Sequence, residues 1–184
     1  MYGMVNRALV DMVQSEFGTE TWDAIAKKAE ISDDLFLSMS QYGDDVTYRL
    51  VGATSEVLGM PAEQVLQNFG SFWIQYTARE GYGELMRVAG NSIWEFLANL
   101  DNLHARVGLS FQNLKPPSFR CSHRTETSVL LHYRSSRAGL AHLVIGLLKG
   151  LGEMFHTPVR VTRQPPRPGE TPVSDEVFLV EQVD

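Results

Sequence analysis

The sequence is poor in cysteine: Cys121 is the only one in 184 residues. A single thiol excludes an intramolecular disulfide and any cysteine-based zinc cluster, and it points to a reducing compartment. An excess of positive charge is also missing. Sixteen Lys and Arg stand against 22 Asp and Glu, a net charge of −6. A nucleic-acid binder would normally present a basic face, and Arg160 to Arg167 is the one mild local candidate. The most apolar run, Ala138 to Gly152, is shorter than a bilayer span and is interrupted by His142 and Lys149. Met1-Tyr2-Gly3 leads into a helical pattern without a basic-then-apolar leader. No internal repeat or low-complexity segment is visible. The expectation is a cytosolic single domain over residues 1–184, with neither nucleic acid nor membrane as partner.

What is present is an ordinary apolar fraction of 43% and a charged fraction of 21%, enough for a sizeable core. The first two-thirds follows a helical period. Residues 3–17 place Val5, Leu9, Met12 and Val13 on one stripe. Residues 21–29 form a second helix with Trp22, Ile25 and Ala26 inward. Asp44-Asp45 open a third, in which Val46, Leu50, Val51, Ala53 and Val57 face the core; acids suit a helix start. Pro61 fits the first position of a fourth, which carries Val65, Leu66, Phe69, Trp73 and Tyr76. Gly81 and Gly83 punctuate before a short helix. Asn91 or Ser92 caps a longer one that runs to about Gly108.

After Lys115-Pro116-Pro117, which cannot continue a helix, residues 118–122 and 127–135 have strand character. Residues 138–155 form a last helix, and 158–163 and 176–182 are two further strands. The Pro-rich stretch 164–174 between them is expected to be a mobile loop. The pattern predicts an α+β fold: an amino-terminal helical lobe, then a four-stranded antiparallel sheet with a helix packed on it.

Two features carry chemistry. His104 lies four residues after Leu100 and seven after Leu97, on or beside the apolar stripe of its helix. A buried imidazole needs partners for its ring nitrogens: a metal, or more commonly a carboxylate, carbonyl or hydroxyl. No two histidines stand three or four apart, so the helical zinc pair is absent. Glu153 and His156 make a lone Glu-x-x-His, where a di-iron bundle needs two. One histidine without a second protein ligand suits haem, whose porphyrin supplies the other donors. The second feature is Tyr133, Ser135 and Arg137, which period two would place on one strand face. All three donate hydrogen bonds, and Arg can hold a carboxylate with two. By itself the trio also fits a solvated strand face.

Together these runs resemble the H-NOX family, the haem-nitric oxide/oxygen-binding domains. The resemblance rests on Met1-Tyr2-Gly3 with Val5-Asn6, Thr47-Tyr48 to Leu58, Phe69-Gly70 and Glu80-Gly81-Tyr82. It continues through residues 99–104, ending at His104, residues 117–121 and residues 132–137, in order along essentially the whole chain. The stand-alone cyanobacterial members and the haem domain of the soluble guanylate cyclase beta subunit are the nearest in appearance.

The resemblance implies a haem b cofactor buried between a distal helical subdomain, about residues 1–60, and a proximal one, about 61–184. It implies His104 as the proximal iron ligand, Tyr133, Ser135 and Arg137 as the propionate-binding trio, and Pro117 as the residue that presses on the porphyrin. Val5, Trp73, Leu143 and Leu147 would line the distal side. Oxygen-binding members place a tyrosine where this chain has Leu143. Leucine cannot donate to bound O₂, whereas NO and CO need no donor, so the implied ligands are NO and CO with O₂ excluded. Two other donors stand nearby, the Trp73 indole and His142 beside Leu143. The implied signal is loss of the iron–histidine bond on NO binding, passed to a partner enzyme, a histidine kinase or cyclase. The chain itself would be a sensor and not an enzyme. The alternatives are an oxygen-binding haem sensor and a haem-free module for a small apolar ligand. Cys121 is expected to pack.

Overall fold

The computed structural model describes residues 1–31, 36–111, 113–165 and 175–183. Eight α-helices and four strands occupy them: α1 Gly3–Phe17, α2 Thr19–Lys28, α3 Asp44–Leu58, α4 Ala62–Thr77, α5 Gly83–Ala89, α6 Ile93–Ala98, α7 Leu100–Gly108, β1 Ser118–Ser122, β2 Ser128–Arg134, α8 Ala141–Met154, β3 Val159–Gln164 and β4 Asp175–Gln182. The expected α+β architecture is observed. Of the 164–174 stretch read as a loop, residues 166–174 lie outside the described residues.

Local chemistry explains most boundaries. Asp44 and Asp45 occupy the first turn of α3, and Gly59 ends it in the left-handed conformation (φ 61°) that glycine adopts without steric cost. Pro61 stands just outside α4 as its N-cap and not as its first helical residue. Its ψ of 140° is extended, so the helix begins one residue later. The Ser92 hydroxyl accepts from the Glu95 amide at 3.3 Å and so caps α6.

Three expectations are corrected. The helix anticipated from residue 91 to 108 is two helices that break at Asn99 (φ −103°, ψ 5°), whose side chain donates to the Ala89 carbonyl at 2.8 Å. Asn competes with the helix by bonding the backbone of a neighbouring segment. The last helix starts at Ala141, not 138, because Gly139 has φ +78°. Val57, expected inward, is 37% exposed.

The sheet order is β1-β2-β4-β3, antiparallel throughout. Its inner face presents Phe119, Val129, Leu131, Tyr133, Phe178 and Val180 to α6 and α8, forming one apolar cluster. A second cluster joins α1, α2 and α3 to the first half of α4. Trp73 packs against both clusters. Helices α4 and α8 cross in close backbone contact. A Cβ on Gly70 would lie 2.6 Å from the Leu147 amide nitrogen, and one on Gly146 would lie 2.7 Å from the Gln67 carbonyl carbon. No described helix is long and apolar enough to cross a membrane.

Candidate functional site

A cavity of about 310 Å³ opens between the two apolar clusters, within the usual size range of small-molecule sites. Residues 1–5 supply one wall, the second half of α4 and α5 another, α8 a third, and α7 with the segment after it a fourth. The lining is chiefly apolar, with a few polar groups among Met4, Val5, Leu103, Phe111 and their neighbours.

The structure brings six of the nine anticipated residues to this cavity: His104, Pro117, Arg137, Val5, Trp73 and Leu147 all line it. His104 projects from α7 and is half-buried, with its Nδ1 enclosed. Its ring stands 5.8 Å from that of Phe119. Burial pushes its pKa below the usual histidine value, outweighing the Asp101 charge and a hydrogen bond with the Pro117 backbone. A neutral imidazole is the form that binds metal. Asp101, one turn earlier, ties α7 to the sheet by accepting from the Phe119 amide at 2.7 Å and the Ser118 hydroxyl at 3.0 Å.

Tyr133 and Ser135 do not line the cavity. Nor does period two unite the trio, since β2 ends at Arg134 and Ser135 to Arg137 lie in the turn that follows. They are joined instead by local bonds. The Tyr133 phenol bonds the Ser135 hydroxyl, and the Arg137 amide donates to Ser135 Oγ at 3.1 Å. The Arg137 guanidinium reaches the cavity rim, where Nε donates to Asp44 Oδ2 at 2.9 Å and Nη1 to the Lys115 carbonyl at 2.9 Å.

Leu143 also differs from expectation. It is not among the lining residues and packs on the helical-lobe cluster, while Val144, Leu147, Leu148 and Leu151 form the α8 wall. His142 turns to Gln67, 3.4 Å away. Sequence reasoning missed Thr77, Tyr82 and Asn113, which line the cavity, and Asp44 as the partner of Arg137. The only signal for Asp44 was its place at a helix start.

Among the described residues no group of three or more His, Cys, Asp or Glu could hold a metal ion. A metal held through His104 would need donors from a non-protein ligand. A neutral, half-buried imidazole, an apolar cavity and an arginine at its rim suit a flat apolar cofactor bearing iron and carboxylates. Comparison with known proteins decides the class. The Haem-NO-binding family model matches residues 2–163. The chain belongs to that family.

Relatives of this H-NOX chain include the soluble guanylate cyclase gcy-31 of Caenorhabditis elegans, 31% identical over 160 residues, which cover 86% of this chain and 23% of the relative. Gcy-33 of the same animal is 35% identical over 85% of this chain and 16% of the relative. The chain thus spans a quarter or less of the length of these curated relatives. Among solved structures, an H-NOX protein from S. oneidensis in the Fe(II) state superposes with a TM-score of 0.88 at 20% identity, covering 100% of this chain and 97% of that one. The Fe(II) unliganded H-NOX protein from K. algicida gives 0.84 at 20% identity, with the same coverage. These likenesses establish the fold.

Proposed function

We propose that this chain binds haem b in the described cavity, with His104 as the iron ligand, and senses NO and CO while excluding O₂. The observation that carries the reading is the half-buried His104 imidazole on the wall of an apolar cavity with an arginine at its rim. Arg137 would take a haem carboxylate, with Ser135 and Tyr133 fixing its backbone from outside the cavity. Pro117 on the lining would bear on the porphyrin, its fixed φ making it a stiff contact.

His104 would hold the iron of a bound haem, which would supply the chemistry of diatomic-gas binding. We infer exclusion of O₂ from the α8 wall, where Val144, Leu147, Leu148 and Leu151 carry no donor, nor does Leu143; the Trp73 indole and the Tyr82 phenol, on other parts of the lining, are the donors that the spectrum in air tests. The Thr77 hydroxyl donates to the Trp73 carbonyl at 2.8 Å, so its proton is committed. His142 is engaged at Gln67. The chain would divide into a distal helical subdomain, about residues 1–60, and a proximal one, about 61–184, whose α4 and α8 also border the gas-binding side. Helix α7 carries His104 and, one turn earlier, Asp101, which ties it to β1, so a change in how His104 is held would be passed from the cavity to the sheet. The signal would pass to a partner enzyme, a cyclase or histidine kinase. We assign the chain no catalysis and place it in the cytoplasm.

The test is the absorption spectrum of the dithionite-reduced, haem-loaded protein, taken without air, in air, and with NO. The expected result is a Soret band unchanged by brief air exposure and shifted by NO. A stable oxy spectrum in air overturns the selectivity, and a chain that takes up no haem overturns the reading.

A further inference from the structure

Arg137 lies in the connection between β2 and α8, at the cavity rim. Strand β2 ends at Arg134 and α8 begins at Ala141. Between them Gly139 has φ +78°, and nothing lies within 4 Å of where its Cβ would be. A glycine in open space gives its segment more conformational freedom than any other residue. Something must hold the chain on either side of it.

Helix α3 does so at two points. Asp44 and Tyr48 are four residues apart and share one helix face. Asp44 takes the side chain of Arg137 at 2.9 Å. The Tyr48 hydroxyl donates to the backbone carbonyl of Ala138 at 2.9 Å, the carbonyl immediately before Gly139. Tyr48 is 40% exposed, so the phenol is not there to fill the core. Thr47, between them, anchors the same turn to α1 through the buried side chain of Asn6 at 2.7 Å. The clamp is therefore mounted on the helix that carries Val5.

We propose that Tyr48 is a positioning residue for Arg137: its hydroxyl pins the Ala138 carbonyl and so holds the Arg137 guanidinium at the cavity rim, where it receives a carboxylate of the ligand. This rests on the haem reading above and adds the residue that sets its carboxylate clamp. Tyr48 touches no ligand itself.

The test is the rate at which the haem-loaded protein yields its pigment to a scavenging apoprotein, measured for the natural chain and for Tyr48→Phe. Two pigments are used, haem and its dimethyl ester, which has the same apolar body but no carboxylate. The expected result is release of haem about fivefold faster from Tyr48→Phe, the scale of one net hydrogen bond, and release of the ester at equal rates from both. A fivefold difference that persists with the ester means general loosening or partial unfolding and overturns the proposal. Equal rates with haem overturn it too. Failure of the natural chain to take up either pigment overturns the haem reading itself, a distinct outcome.

Discussion

Arg137 Nε donates to Asp44 Oδ2 at 2.9 Å, which joins two residues 93 positions apart. Asp44 also accepts from the Met1 ammonium at 2.6 Å, and Arg137 from its other side holds the Lys115 carbonyl. The start of α1, the start of α3, the segment before β1 and the turn after β2 thus meet on one carboxylate and one guanidinium. This ion pair sits at the cavity rim, where any carboxylate ligand of Arg137 would have to share the guanidinium.

Replacing Asp44 by Asn should cost about 1 kcal/mol or less, because its side chain is 39% exposed and solvent screens the pair. The sign of the pH dependence is fixed. Burial raises the Asp44 pKa, but hydrogen bonds from the Met1 ammonium and Arg137 outweigh it and leave it below the ordinary 3.8. A depressed carboxyl stabilises the fold above its unfolded pKa and loses that contribution as pH falls through the folded one. Urea unfolding should show a gap between the natural chain and Asp44→Asn that is complete above about pH 5 and closes towards pH 3. A gap that widens with acid would contradict the assignment.

His104→Gly should abolish haem retention in buffer and restore it when imidazole is supplied. The substitution removes a side chain that stands in a cavity wall and not in the fully buried core, so the chain should still fold. Full haem occupancy without imidazole, read from the Soret band, would place the iron ligand elsewhere.

The fold was legible wherever one local rule governed. The strand character of residues 118–122 and 127–135 foretold two strands of the sheet, and the apolar pattern of 138–155 foretold the helix against it, whereas the burial of Tyr133 in the inner face was not foreseen. The break at Asn99 was not legible, because it depends on the Ala89 carbonyl ten residues away in the chain. The site was legible in part. His104 betrays itself as a polar residue beside an apolar stripe. Arg137 was found for the wrong geometric reason: strand alternation was assumed, and a serine-centred turn does the work. Leu143 and Val144 are indistinguishable by hydrophobicity, so only helix packing could choose between them. Asp44 was legible only as a helix start and Tyr48 only as part of the family resemblance, since their partners lie some ninety positions downstream.

The α4–α8 crossing yields the sharpest contrast in stability. At Gly70 and Gly146 an added Cβ would meet backbone of the facing helix, which cannot step aside as a side chain can. Gly146→Ala should therefore destabilise by about 1–3 kcal/mol or more, the usual scale of overpacking. Gly52, in α3, has open space where its Cβ would go and no positive φ. Gly52→Ala should stabilise by about 0.4–1 kcal/mol by restricting the unfolded chain. Both are helical glycines, so propensity alone predicts the same favourable sign for both. Opposite shifts in melting temperature would show that backbone contact between α4 and α8 holds the cavity walls in place. Equal shifts would mean that the two helices can separate without cost. The α8 wall of Val144, Leu147 and Leu148 would then not be a fixed surface against which a ligand is selected.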